Sequence, residues 1–329
     1  SGDANQNDIE DETLGIGLGW FNNGIAQGYG LPGDLVRVVT GQDQVQCPWY
    51  GTYIKDYITF MKKLVDDGIY DTAVLGSGVA DQMLAENKIE IDLIKCPEWE
   101  NIIQAGLKVR SCYTHNEIAL GRGNLAELDF DRVKRYLDLT HTPHLNCHLW
   151  GSSPQFKNNL SERTKQKDAW MRELELLQKK IPGYRVICEN LPAEPGMPAW
   201  GVSRYPDLLR EFIVESGCGL LLDLSHARIT AMNYGMDYQA YIAELPTGRL
   251  AELHITGIKP YGGYPEDHFE MQAEDWPPTR WAAEQIKLGK WSEPEIVAFE
   301  YGGVGDIFNF RTNERYLLEQ VPLLKELFT

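Results

Sequence analysis

The chain has 329 residues, 43% hydrophobic and 24% charged, with a formal net charge of −17. That balance excludes a strongly basic nucleic-acid binder and an anionic-membrane binder, both of which need clustered Lys and Arg. No apolar run reaches the roughly 18 residues of a membrane span, and there is ample apolar material for one large core.

The six cysteines, Cys47, Cys96, Cys112, Cys147, Cys188 and Cys218, contain no C-x-x-C pair and no disulfide framework. Reduced thiols and a cytoplasmic setting are expected. Residues 1–13 are polar and acidic and read as a disordered tail, leaving 14–329 as a single domain.

Along that domain, apolar β-branched runs predict strands near 14–19, 71–76, 108–115, 143–149, 184–190, 219–225, 250–256 and 295–301. Amphipathic patterns predict helices near 52–66, 130–139, 161–180, 204–216, 237–244, 279–288 and 313–328. Alternating strands and helices imply parallel βαβ units. Eight strands in this rhythm fit a (β/α)₈ TIM barrel of the α/β class. The stretches 21–51 and 258–278 read as long loops over its mouth.

Five of the seven histidines fall at or just beyond predicted strand ends: His115, His148, His226, His254 and His268. Glu189, Asp223 and Glu300 fall there too, and Glu266 and Asp267 precede His268. From His115 the successive gaps to His148, Glu189 and Asp223 are 33, 41 and 34 residues, each near one βα unit. Successive strands therefore deliver about one ligand each to the same rim, the face where barrels keep their chemistry.

Imidazole with carboxylate suits iron, zinc or manganese. The set exceeds the roughly four ligands one zinc uses, so two or three ions sharing bridging carboxylates are expected. Glu189, central in strand order, is the first choice as bridge. Glu189, Asp223 and His226 are the candidate catalytic residues. His115, His148, Glu189, Asp223, His226, His254, Asp267, His268 and Glu300 are the candidate metal ligands. A carboxylate at the start of a helix is also an ordinary cap. Cys147 and Cys188 precede His148 and Glu189, and strand alternation turns both into the barrel–helix layer. His141 and His144 start their strand, on the stability face, and are left out.

In order, Gly15-Ile16-Gly17-Leu18-Gly19-Trp20, His115 through Leu120-Gly121, Cys147-His148-Leu149-Trp150, Glu189-Asn190, Leu220 to Asp223, Asn233-Tyr234-Gly235-Met236-Asp237 and Glu252 to Gly257 form a series. It resembles the multinuclear non-haem iron-dependent oxidative enzymes of methanobactin and thia-amino-acid peptide biosynthesis. Asp223-Leu224-Ser225-His226 also resembles the trinuclear zinc barrel endonuclease IV, and xylose isomerase-like barrels are more distant kin. The chain departs from the first family in having His226 where Asn is usual, and Glu266-Asp267-His268 where Asp-x-His is usual.

The first resemblance implies an iron- and O₂-dependent oxidoreductase acting on a residue, for instance a cysteine, of a ribosomally made peptide. It implies two or three irons per chain and a precursor peptide as substrate. It also implies a separate protein that presents the peptide. Asn190 and Asn233 are substrate or supporting candidates, with capping and turn roles as the alternative. The rival readings are a zinc-dependent phosphodiesterase and a sugar isomerase or epimerase using manganese or magnesium. The net charge disfavours the phosphodiesterase, and the isomerase leaves several histidines unused.

Overall fold

A computed structural model describes residues 83–153, 156–195, 198–261, 264–302 and 313–329. The strands expected near 14–19 and 71–76, the helix near 52–66, the loop 21–51 and the tail 1–13 lie outside these residues.

The described strands are β1 (Ile94–Pro97), β2 (Cys112–His115), β3 (Ala119–Leu120), β4 (His144–Leu149), β5 (Arg185–Glu189), β6 (Gly219–Asp223), β7 (Leu250–Ile255), β8 (Gly257–Tyr261), β9 (Tyr264–Phe269) and β10 (Ile296–Phe299). The helices are α1 (Glu100–Leu107), α2 (Phe130–Thr140), α3 (Leu160–Lys180), α4 (Pro206–Ser216), α5 (Leu224–Tyr234), α6 (Tyr238–Ala243), α7 (Trp276–Lys287) and α8 (Glu314–Phe328). Six strands form one parallel sheet in the order β10-β7-β6-β5-β4-β3, and β1 pairs in parallel with β2. Strands β8 and β9 form an antiparallel hairpin.

Successive side chains on a strand turn to opposite faces. On the outer face Cys147, Leu149, Cys188, Leu220, Leu222, Leu253 and Ile255 join Trp170 of α3 and Phe212 of α4 in the main core. On the inner face Ile187, Leu221 and Ala251 pack together, and Tyr113 of β2 packs against Ile296 and Ala298 of β10. Among the described strands β10 is one edge of the sheet, and β3, which follows β2, is the other. The Tyr113 contact therefore draws the two sides of the sheet around a common interior, so the architecture is an α/β barrel. Strand β6, Gly219-Leu220-Leu221-Leu222-Asp223, is buried at every position, as a strand covered on both faces must be.

Helix ends carry local signals. Asp129, Asn159, Asp237 and Asn313 cap α2, α3, α6 and α8 with side-chain oxygens. Pro206 opens α4, and Gly217 closes it at φ 77°.

Three features depart from the expectation. Strand β1 and helix α1 were not foreseen; both are short, and Pro97 ends the strand. Helix α5 was also missed, because Leu224, Ser225, His226, Ala227, Ile229, Thr230 and Ala231 bury it nearly all round and erase any amphipathic period. The stretch 258–278, expected as a loop, holds most of the β8–β9 hairpin and the start of α7. Pro260, Pro265 and Asp267 disguise that hairpin, since such residues are poor strand formers.

Candidate metal centre

The sequence-predicted ligands stand at the C-terminal ends of the strands. His115 ends β2, His148 lies one residue from the end of β4, and Glu189 and Asp223 end β5 and β6. His254 is the penultimate residue of β7, and Glu300 follows β10. Parallel registration sets them side by side: His148 is level with Glu189, and Asp223 with His254.

Glu189 is the hub. Its Oε2 lies 3.2 Å from His148 Nε2 and 3.6 Å from His115 Nε2. Its Oε1 lies 3.3 Å from His226 Nδ1 and 3.9 Å from His254 Nδ1. His254 Nδ1 is also 3.2 Å from Glu300 Oε2 and 3.8 Å from Asp223 Oδ2. Three overlapping trios have ligand atoms within 4.8 Å of one another: His115–Glu189–His254, Glu189–Asp223–His226 and Asp223–His254–Glu300. Each pair of trios shares a member.

Helix α5 starts directly after β6, so Asp223 has two tasks. Its Oδ1 caps the helix by accepting from the His226 amide at 2.7 Å. Its Oδ2 is buried without a hydrogen-bond partner. One helical turn on, His226 Nδ1 lies 2.9 Å from the Asn190 carbonyl. That contact leaves Nε2 facing Asp267 Oδ2 at 2.8 Å and Asp223 Oδ2 at 3.7 Å. The hairpin thus brings Asp267 onto His226. His268 sits at φ 60°, over a third exposed, with Nε2 3.7 Å from Asp267 Oδ1, and belongs to none of the trios.

The two asparagines have backbone partners. Asn190 donates to the Asp223 carbonyl and accepts from the Asp223 amide, both at 2.9 Å, and so clamps the end of β6. Asn233 donates to the Ala193 carbonyl at 3.1 Å. Both therefore hold the chain around the site.

Sequence reasoning missed the supports. Glu252, two residues before His254 on the same face of β7, accepts from Tyr113 Oη at 2.9 Å. Its carboxylate also lies 2.7 Å from His254 Nε2 and 2.6 Å from His144 Nε2. His144, set aside as a residue of the stability face, therefore connects to the site from beneath. The two-residue spacing was the available signal, since period two places Glu252 beside His254. Asn146 also meets His115, with Nδ2 3.2 Å from Nε2, the nitrogen that faces Glu189, and its Oδ1 accepts from the Asn116 amide at 2.7 Å. Lys95 of β1, level with Tyr113, reaches the mouth and pairs with Glu300.

Protonation follows from burial and neighbours. Burial disfavours the charged form of His226, but Asp223, Asp267 and Glu189 outweigh it and hold the imidazole well above its usual range. Burial also opposes protonation of His148, and Glu189 again prevails. Burial, reinforced by Lys95, pushes His115 well down and His254 down. Burial pushes the Asp223 carboxyl up to about 6 against the pull of His226. Glu194, in the loop after β5, rises to about 7 through burial and the nearby Glu266 and Asp267.

Divalent ions fit these residues. Glu189 Oε2, Asp223 Oδ2, His254 Nδ1 and His115 Nδ1 are buried without hydrogen-bond partners. Burying such groups unsatisfied costs roughly 1–3 kcal/mol each, more for charged ones. Coordination removes that cost for the atoms that face the trios. Imidazole nitrogen and carboxylate oxygen are borderline-to-hard donors that suit iron, zinc and manganese. His226 and His254 also each direct their other ring nitrogen to an oxygen partner, as metal-ligating histidines do.

A barrel that gathers strand-end histidines and carboxylates around one glutamate presents clusters that could hold metal ions. Residues 166–276 match the family of RiPP precursor modification enzymes MbnB/TglH/ChrH. The resemblance expected from the sequence is thus shown, over the stretch that carries Glu189, Asp223, His226, His254 and Asp267. A UPF0276 protein of Acaryochloris marina is 25% identical over 215 residues, covering 63% of this chain and 73% of its own. A UPF0276 protein of Pseudomonas aeruginosa is 39% identical over 72 residues, covering 22% of this chain and 25% of its own. Among solved structures, a xylose isomerase domain containing protein from Salmonella typhimurium aligns with a TM-score of 0.48 at 12% identity, covering 74% of this chain and 90% of that one. D-psicose 3-epimerase aligns with a TM-score of 0.47 at 10% identity, covering 76% and 92%.

The five described cysteines, Cys96, Cys112, Cys147, Cys188 and Cys218, are buried and form no disulfide with one another. Among the described residues no helix is long and apolar enough to cross a membrane.

Proposed function

We propose that this chain is a multinuclear iron enzyme that uses O₂ to modify a residue, for instance a cysteine, of a ribosomally made peptide precursor. The observation that carries the metal reading is the convergence of His115, His148, Glu189, Asp223, His226, His254 and Glu300 from six strand ends, with buried ligand atoms unsatisfied. The family match supports the peptide substrate. Iron and oxygen rest on the resemblance and on the donor set.

In this reading the trios hold two or three ions. Iron supplies redox chemistry and open positions for oxidant and substrate. The protein's part is to hold and orient. Glu189 would be shared between neighbouring ions, and Asn190 keeps the end of β6 in place. Glu252 and the Asn190 carbonyl fix ring orientations at His254 and His226. Glu194, at the rim beside Asp267, is a proton-holding carboxyl near neutrality. A separate peptide-presenting protein belongs to the same reading.

The test is anaerobic reconstitution with Fe(II), elemental analysis, and O₂ uptake with mass change of cysteine-containing precursor peptides. Two or more irons per chain and iron-dependent oxidation are expected. Peptide modification with zinc alone, or phosphodiester hydrolysis in place of oxidation, would overturn the proposal.

A further inference from the structure

Lys95 has no place in the ligand set, yet its ammonium reaches the metal centre. Its side chain is 22% exposed, and its partner Glu300 is 7% exposed. Tyr113, level with it on β2, points to the barrel interior and bonds Glu252. Lys95 shares that face, because its neighbour Cys96 is fully buried on the opposite one, toward α1. Burial pulls the Lys95 ammonium below its usual range, and the carboxylates of Glu189, Glu252 and Asp223 oppose that shift, with Glu300 as its direct partner. A lysine buried this far usually needs such compensation.

Glu300 belongs to the trio Asp223–His254–Glu300. An ion there would share its ligand Glu300 with the ammonium. Two cations so close in a buried setting repel strongly, because the interior screens them less than water does.

We propose that Lys95 is a built-in cation that occupies the electrostatic place of a third metal ion, so that the centre holds two ions firmly. Lys95 then sets metal number and keeps Glu300 anchored on the β1 side of the mouth. This inference rests on the metal-centre reading above.

The experiment loads the parent chain, Lys95→Met and Lys95→Arg anaerobically with Fe(II), and separately with Zn(II). Weakly held ions are removed by desalting, and metal is counted per chain. Two ions per parent chain, three per Lys95→Met chain and two per Lys95→Arg chain are expected. A parent that keeps three ions after desalting, or a Lys95→Met count equal to the parent's, overturns the inference. Lys95→Gln replaces the methionine variant if the latter does not fold, as judged by its metal-free melting temperature, and is held to the same counts. A parent that retains neither metal overturns the metal-centre reading itself and this inference with it. Two ions in all three chains overturns this inference alone.

Discussion

His254 and Glu252 lie two residues apart on β7, with Nε2 of the histidine 2.7 Å from Oε1 of the glutamate, so that Nδ1 is the nitrogen turned to Asp223 and Glu300. The same carboxylate meets His144 and Tyr113, and His254 and His144 hold it well below the usual carboxylate range despite its burial. Supports of this kind typically contribute 10–100-fold in metal affinity. Glu252→Gln should weaken binding by about that factor. Competition with a chelator of known affinity measures it, and an unchanged constant would show that His254 needs no such partner.

Glu189 should be the most sensitive ligand. Both its oxygens face histidines, and the residue belongs to two of the three trios. Glu189→Gln offers one weak oxygen donor and a poor N–H₂ face, so loss of more than one ion per chain is expected. Elemental analysis after desalting reads this directly. Loss of a single ion would reduce Glu189 to a terminal ligand.

His226→Asn should cost about one ion and leave the fold intact. Its backbone amide still bonds Asp223, so the start of α5 survives the exchange. An amide oxygen is a weaker ligand than imidazole for iron or zinc. Unchanged metal content with an unchanged melting temperature would remove His226 from the ligand set.

Metal uptake near neutral pH should release protons. In the metal-free chain His226 and His148 are held above their usual range, so they carry protons that a metal must displace. The sign for stability follows from linkage. A raised histidine stabilises the metal-free fold fully below its unfolded value of about 6.5, and that contribution fades as pH rises through the folded value. Metal affinity runs the opposite way and falls as pH falls. Calorimetric titrations in buffers of different ionisation enthalpy count the protons, and a count of zero would contradict the assigned protonation.

Gly257 lies where β7 passes into the hairpin. A Cβ there would sit 1.9 Å from the Glu270 carbonyl oxygen, backbone against backbone. Gly257→Ala should therefore cost roughly 1–3 kcal/mol of stability. It should also push the hairpin away, taking Asp267 from His226 and weakening one metal site. Thermal unfolding and metal content should fall together in this variant.

Much of the site was legible because it follows strand rhythm. His115, His148, Glu189, Asp223, His254 and Glu300 come together as their spacing implied, since each sits where a β-run ends. Glu252, His144 and Lys95 escaped for a different reason. Glu252 had one local signal, its two-residue spacing to His254, but its contacts with Tyr113 and His144, like that of Lys95 with Glu300, join residues more than a hundred positions apart, and no local pattern encodes such a partner. Helix α5 was hidden by its uniform burial, and the β8–β9 hairpin by its prolines. His268, expected as a ligand from the loop after the seventh strand, is over a third exposed at φ 60°, with Nε2 3.7 Å from Asp267 Oδ1, and lies outside the three trios.

Cys147 and Cys188 are sequence neighbours of His148 and Glu189, yet they lie on the far side of the sheet wall, 3.6 Å from each other in the apolar layer under the helices. The pleat alone enforces this separation. Sulfur is the softest donor the chain possesses and binds iron and zinc avidly once deprotonated. By parity, the strands that supply the oxygen and nitrogen ligands withhold their own thiols from the mouth. A peptide thiolate of the kind proposed above would therefore meet no internal competitor from β4 or β5.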